Sequence, residues 1–108
     1  MPLIRMETSA TIPEEKKPEI LAALTKIASE ATGKPEAYVM AVIAEAAMTM
    51  AGKPGPAAFL DIRSIGAINK KVNGRISKGV GELLGKSAGI PANRVFISFN
   101  DVKGENWG

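Results

Sequence analysis

The sequence has no cysteine and no histidine among its 108 residues. The first absence excludes disulfides, zinc–thiolate centres and dithiol redox chemistry. The second removes the commonest general base, the Ser/His and Cys/His nucleophile pairs and most transition-metal sites. Proton-transfer chemistry here would need an unusual base, and no metal or other cofactor is expected. Aromatic residues are scarce, with three Phe, one Tyr and one Trp. No basic stripe is interleaved with them, so nucleic acid is not an expected partner. No apolar run approaches the ~20 residues that a membrane helix needs, and the N-terminus lacks a basic region followed by an apolar core. A cytoplasmic protein without a membrane partner is the expectation.

What is present suits a single domain over residues 1–108. The chain is 45% hydrophobic and 23% charged with a formal net charge of +3, enough apolar surface for one core. Its basic residues are scattered apart from Lys16-Lys17 and Lys70-Lys71, which read as solvated helix faces. Leu3 to Glu7 has the pattern of a short strand. Thr11-Ile12-Pro13-Glu14 has the form of a capping box. Ile20, Leu24, Ile27 and Ala31, flanked by Leu21 and Ala28, then follow helical spacing. Gly33 supplies a stop, Pro35 prevents resumption, and Tyr38 to Ile43 reads as a second strand. The stretch from Ala44 to Pro56 is a connector with turn chemistry at Gly52-Lys53-Pro54-Gly55-Pro56. A third strand at Ala57–Arg63, a helical stripe of Ile68, Val72, Ile76, Val80, Leu83 and Leu84, and a fourth strand at Val95–Phe99 complete the chain. Gly79 and Gly81 fall inside that second helix, where each costs ~1 kcal/mol relative to alanine; close packing on the sheet is the expected reason.

Sliding the sequence on itself by 56 residues aligns the two halves without a gap. Leu3 falls on Phe59, Met6 on Ile62, Ile20 on Ile76, Leu24 on Val80 and Val39 on Val95, and Gly33-Lys34-Pro35 falls on Gly89-Ile90-Pro91. The repeat, about 2–43 and 58–99, predicts an α/β (α+β) fold. Two βαβ units related by a pseudo-twofold form one four-stranded mixed sheet with two helices on one face. The strands carry apolar residues on both faces, Leu3 opposite Ile4, Val42 opposite Ile43, Phe59 opposite Leu60 and Phe96 opposite Ile97. Near-continuous apolar strands are covered on both sides, so a homo-oligomer packing sheet against sheet is expected.

The first residues, Met1-Pro2-Leu3-Ile4-Arg5, admit two readings. Proline can begin an edge strand, where its missing N–H costs nothing. Alternatively, initiator methionine is normally removed before a small residue, which would make Pro2 a free secondary amine able to act as a base. Lys34 is likewise open: a lysine at a helix C-terminus is favoured by the dipole without any role in a site.

The proline after Met1, the duplicated βαβ, Ala31-Thr32-Gly33-Lys34-Pro35 followed by Tyr38, Ser64-Ile65-Gly66 and Arg94-Val95-Phe96-Ile97 together resemble the macrophage migration inhibitory factor family of the tautomerase superfamily. The resemblance covers nearly the whole chain. It implies a homotrimer with three active sites at subunit boundaries and a keto–enol tautomerase, phenylpyruvate tautomerase-like, whose base is the mature N-terminal proline. It implies Pro2 as catalytic base, Lys34 as holder of a substrate carboxylate, Ile65 as donor of an assisting backbone N–H, Tyr38 as an aromatic at the pocket mouth contributed by a neighbour, and Trp107 as an approximate match to a pocket-lining tryptophan. The substrate class is a small aromatic α-keto or enol acid. Phe96 and Ser98 stand where characterised vertebrate members have a tyrosine and an asparagine, so a wall is kept and recognition of ring hydroxyls is weakened. The Cys-x-x-Cys of those members falls on Ala57 and Leu60, which excludes thiol oxidoreductase chemistry. Burial among Leu3, Ile65, Phe96 and Trp107, with the Lys34 cation nearby, would lower the proline pKa toward working pH. The alternative function is a cytokine-like signalling factor with a vestigial pocket and an unidentified protein receptor, a reading that leaderless secretion would accompany. A third chemistry, dehalogenation or hydration of small unsaturated acids, would need Arg5, Arg63 or Arg75 in the pocket.

Overall fold

Residues one apart along the strands alternate between a helix-covered face and an open one, and this alternation organises the molecule. In the computed structural model, which describes residues 1–108, the strands are β1 (Leu3–Thr8), β2 (Met40–Glu45), β3 (Ala58–Ser64) and β4 (Val95–Asp101). The helices are α1 (Lys17–Thr32) and α2 (Lys70–Ser87), and 3-10 turns lie at Glu14–Lys16, Glu36–Tyr38, Ala92–Arg94 and Gly104–Asn106. The sheet order is β2-β1-β3-β4. β1 pairs with β2 and β3 with β4 in parallel, while the central β1 and β3 are antiparallel. This is the four-stranded mixed sheet of two βαβ units with two helices. Ile4, Met6, Leu60 and Ile62 from the central strands meet Ile20, Leu24 and Ala28 of α1 and Ile76, Val80 and Leu84 of α2 in one buried core.

The repeat is visible in local geometry as well as in topology. Gly33 and Gly89, 56 positions apart, both adopt left-handed backbone, with φ of 74° and 65°, a conformation that costs glycine no side-chain clash. Each is followed two residues later by a proline and then by a 3-10 turn, Glu36–Tyr38 in one half and Ala92–Arg94 in the other.

Four expectations need correction. Thr11 and Glu14 do not form a capping box: Pro13 precedes a 3-10 turn with no side-chain cap, and α1 begins only at Lys17 with Pro18 in its first turn. The two prolines set the entry, and the Ile12 N–H is satisfied by Glu45 Oε1 at 3.2 Å. Tyr38 closes a 3-10 turn, and β2 starts two residues later. Gly79 packs on the other helix rather than on the sheet, because a Cβ there would lie 3.3 Å from the Ile27 side chain of α1. Finally, the open face is not continuously apolar. Leu3, Val42, Phe59 and Phe96 share it with Arg5, Glu7, Asp61, Arg63, Ser98 and Asn100. Arg63 pairs with Asp61 at 3.0 Å, Asn100 donates to Asp61 at 3.1 Å and Arg5 lies 3.6 Å from Glu7.

The contrast between two helix glycines is measurable. Nothing lies within 4 Å of a Cβ added at Gly74, so Gly74→Ala is expected to stabilise by about 0.5–1 kcal/mol through helix propensity and unfolded-state entropy. Gly79→Ala should gain less or lose stability, and Ile27→Ala in the same chain should narrow the difference. Urea-unfolding midpoints of the single and double variants check both statements.

Candidate active site

The start of β1 is drawn into the sheet by both neighbours. Leu3 sits opposite Arg63 of β3 and beside Met40 of β2, and the Met40 N–H donates to the Pro2 carbonyl at 3.0 Å. Pro2 is fully buried. This end of the sheet is where the first βαβ unit returns its helix. Gly33 turns the chain out of α1, and the cap N–H of Gly33 donates to the Ser29 carbonyl. The next residue is then fixed at both of its backbone groups: Ser29 Oγ donates to the Lys34 carbonyl at 2.6 Å, and the Lys34 N–H donates to Thr32 Oγ1 at 3.3 Å. From there the Lys34 side chain crosses the sheet end, and its Nζ donates to the Ile65 carbonyl at 2.7 Å.

The C-terminal segment completes the wall. The Val102 N–H donates to the Ser64 carbonyl at 2.9 Å, the Gly66 N–H donates to Asp101 Oδ1 at 3.0 Å, and the turn Gly104–Asn106 delivers Trp107. Met1, Pro2, Leu3, Tyr38, Met40 and Trp107 line a cavity of about 380 Å³. Its walls are largely apolar, and the Lys34 side chain lies beside the Met1 amine.

Electrostatics at this edge bear on the terminal amine. The Met1 amine is held below the ordinary α-amino value, first by partial burial, then by the Lys34 cation and hydrogen bonding to Lys34. All three causes disfavour the protonated, positively charged form. An amine whose protonated form is disfavoured, next to a lysine ammonium, suits proton abstraction from an anionic acid: one group takes the proton and the other pairs the charge.

The expected site residues divide into two groups. Pro2, Lys34, Ile65, Tyr38 and Trp107 gather at one end of a single chain. Tyr38 is corrected in one respect: it lines the cavity of its own chain, 58% exposed, because the 3-10 turn sets it beside the start of β1. Phe96 and Ser98 lie elsewhere. β4 is the far edge of the sheet, two strands from β1. Phe96, 66% exposed, borders a separate cavity of about 250 Å³ with Met48, Met50 and Phe59, and Ser98 lies on the open face, where it accepts from Asn100. Phe96 is therefore no part of the wall around Pro2 within one chain. The three arginines are also absent from that wall: Arg5 and Arg63 are engaged on the open face and Arg75 borders a groove between the helices. Sequence reasoning missed Met40, which lines the cavity and whose signal was its position two residues after Tyr38. Ser64 is fully buried with its Oγ unpartnered, at the end of β3 one residue before Ile65.

The family described as macrophage migration inhibitory factor (MIF) matches residues 1–108. A macrophage migration inhibitory factor of Xenopus tropicalis is 37% identical over 90 residues, covering 82% of this chain and 78% of the relative. The crystal structure of a macrophage migration inhibitory factor-like protein from Entamoeba histolytica superposes with a TM-score of 0.94 at 36% identity, covering 99% of this chain and 93% of the other. A homologue from Prochlorococcus marinus gives 0.92 at 32% identity, with coverages of 98% and 93%.

Replacing Lys34 by methionine removes the cation while keeping an apolar stem, and should raise the pKa of the Met1 amine toward its ordinary value. The sign follows from linkage: with the native amine pKa depressed, the unfolded chain binds more protons over the window below the ordinary value, so stability rises with pH there. In Lys34→Met that slope should flatten. The pH dependence of N-terminal amine acylation, read by mass spectrometry, reports the shift directly.

Proposed function

Because the chain belongs to the macrophage migration inhibitory factor family, we propose that it is a keto–enol tautomerase of phenylpyruvate-like α-keto acids, with Pro2 as the base once Met1 is removed. The observation that carries this reading is the Lys34 ammonium fixed on the Ile65 carbonyl at 2.7 Å beside the terminal amine, with an apolar cavity opening at that same terminus. Removal of Met1 transfers the terminal amine to Pro2, which is more deeply buried than Met1, so desolvation acts on it more strongly.

In the proposed reaction the substrate carboxylate pairs with Lys34 and its ring lies against Tyr38, Met40 and Trp107. Neutral Pro2 removes the proton from the carbon next to the carbonyl, and the electron pair moves onto the carbonyl oxygen. The proton returns to that oxygen, giving the enol with no net change in atoms or electrons. The Lys34 charge and the Ile65 backbone N–H favour the enolate in passing. With one Lys34 Nζ hydrogen already engaged on Ile65, the ammonium is oriented before substrate arrives.

The same reading includes a homotrimer. Phe96 and Ser98 stand on the β4 edge, remote from Pro2 in their own chain, and reach a proline cavity only from a second copy. A ring in which each β4 edge meets the next chain's β1–β2 end brings them there and leaves three equivalent sites.

Mature protein whose mass shows Met1 removed should tautomerise phenylpyruvate, and Pro2→Ala should lose about 10²–10⁴-fold in kcat, the usual range for a general base. Protein retaining Met1 should be as slow as the variant, because an acylated proline nitrogen has no basic lone pair. Equal rates for Pro2→Ala and the parent would end the proline-base reading. Sedimentation equilibrium should give the mass of three chains.

A further inference from the structure

The net positive charge of the molecule is confined to one element. Of fourteen basic and eleven acidic side chains in the sequence, α2 holds Lys70, Lys71, Arg75, Lys78 and Lys86 against the single acid Glu82, which leaves nine basic and ten acidic residues everywhere else. All five α2 cations are exposed, and none takes part in an ion pair. At ~100° per residue, Lys71, Arg75, Lys78, Glu82 and Lys86 fall within about 80° of arc and run about 22 Å along the helix. Scattered in sequence, they form a line in the fold, because the opposite side of α2 is committed to the core through Ile76, Val80 and Leu84.

What surrounds the line restricts its partner. No large hydrophobic residue is exposed on α2, the exposed ones being Met1, Tyr38, Met40, Phe59 and Phe96. The line thus has nothing to insert into a bilayer, and no aromatic face on which a base or a sugar ring could stack. Its remaining outer positions are small, such as Gly74 and Ser77. The neighbouring helix gives no support to a broad anionic surface: residues 14–32 carry Glu14, Glu15, Glu19 and Glu30 against Lys16, Lys17 and Lys26. A duplex or a membrane would meet both helices, whereas a narrow chain can follow α2 alone.

We propose that the outer face of α2 is a docking surface for a narrow linear polyanion made only of charged units, namely inorganic polyphosphate. Successive phosphates lie along Lys71, Arg75, Lys78 and Lys86, with Lys70 flanking the entry. Binding is electrostatic and driven by counterion release. It is independent of the proline cavity, which lies at the end of the sheet.

The test is anisotropy of end-labelled polyphosphate with the full chain across a series of KCl concentrations. Saturable binding is expected, weakening with salt at a log–log slope of about −2 to −3 for four engaged cations, by analogy with single-stranded nucleic acid. Lys71→Glu/Lys78→Glu should bind at least ~10-fold more weakly with a flatter slope. Lys16→Glu/Lys26→Glu, on the neighbouring helix and its entry, should stay within about twofold of the parent. Both pairs are exposed, and circular dichroism with urea unfolding verifies that each variant is folded. An undiminished affinity in the α2 variant, or an equal loss in the control, overturns the surface assignment. Tighter binding of heparin, duplex DNA or phosphatidylserine vesicles at equal charge concentration overturns polyphosphate as the occupant.

Discussion

The antiparallel pairing of β1 with β3 is the constraint on which the rest of the structure depends. Each βαβ unit alone would leave its inner strand with an unpaired edge and its helix covering half a sheet. Pairing Leu3 with Arg63 through Thr8 with Ala58 joins the units about a pseudo-twofold and buries Ile4, Met6, Leu60 and Ile62 in one core. It also fixes the chemistry: the start of β1 can lie beside the end of β3 only when the strands run in opposite directions. The Lys34 ammonium then closes the junction by bonding from the first unit to the Ile65 carbonyl of the second.

The duplication is faithful in shape and unequal in chemistry, and the inequality has a physical origin. At the position equivalent to Pro2 the second half has Ala58, at that of Lys34 it has Ile90, and at that of Tyr38 it has Arg94. A residue in the interior of the chain carries an amide nitrogen and cannot supply a free amine, so the proposed pairing of a terminal amine with a lysine is open to the first half alone. Ile90 is instead fully buried in the core. Arg94 has turned to structure, donating to the carbonyls of Pro56 at 2.8 Å, Lys53 at 3.1 Å and Gly55 at 3.4 Å and thereby holding the connector between the halves.

Much of the fold was legible because the repeat ties distant positions together. The glycine-x-proline stop, the strand entries and the helix stripes occur twice at one spacing, and each copy supports the other. What was not legible depends on competition or on register. The entry to α1 was misjudged because Thr11 and Glu14 signal a cap while Pro13 and Pro18 fix backbone angles that delay the helix, and the prolines prevail. Gly79 was assigned to the sheet because a helix pattern shows which residues are small and says nothing of what approaches them. The gathering of Pro2, Lys34, Ile65 and Trp107 was legible, since local turns bring them to one end of the sheet. The placement of Tyr38 was not, since a 3-10 turn displaces the start of β2, nor was that of Phe96 and Ser98, which follows from strand order. The line of cations on α2 was hidden for a related reason: residues spaced three, four and eight apart look dispersed until the helix winds them onto one side.

The polar ladder on the open face bears on how copies of this chain could cohere. Arg5, Asp61 and Ser98 form the middle row of that face, Glu7 lies in one end row with Phe59 and Phe96, and Arg63 and Asn100 lie in the opposite end row with Leu3. A sheet of this composition cannot serve as the dry side of a sandwich, because desolvating so many charges would cost more than the flanking rings return. Any closed assembly that turns this face inward encloses water along its axis and is sealed at its rim, where the backbone edges of β2 and β4 are free to pair. Such a body is hollow and hooped. Its strength would lie in the seams between copies, so it would part there first and leave each chain's own core intact.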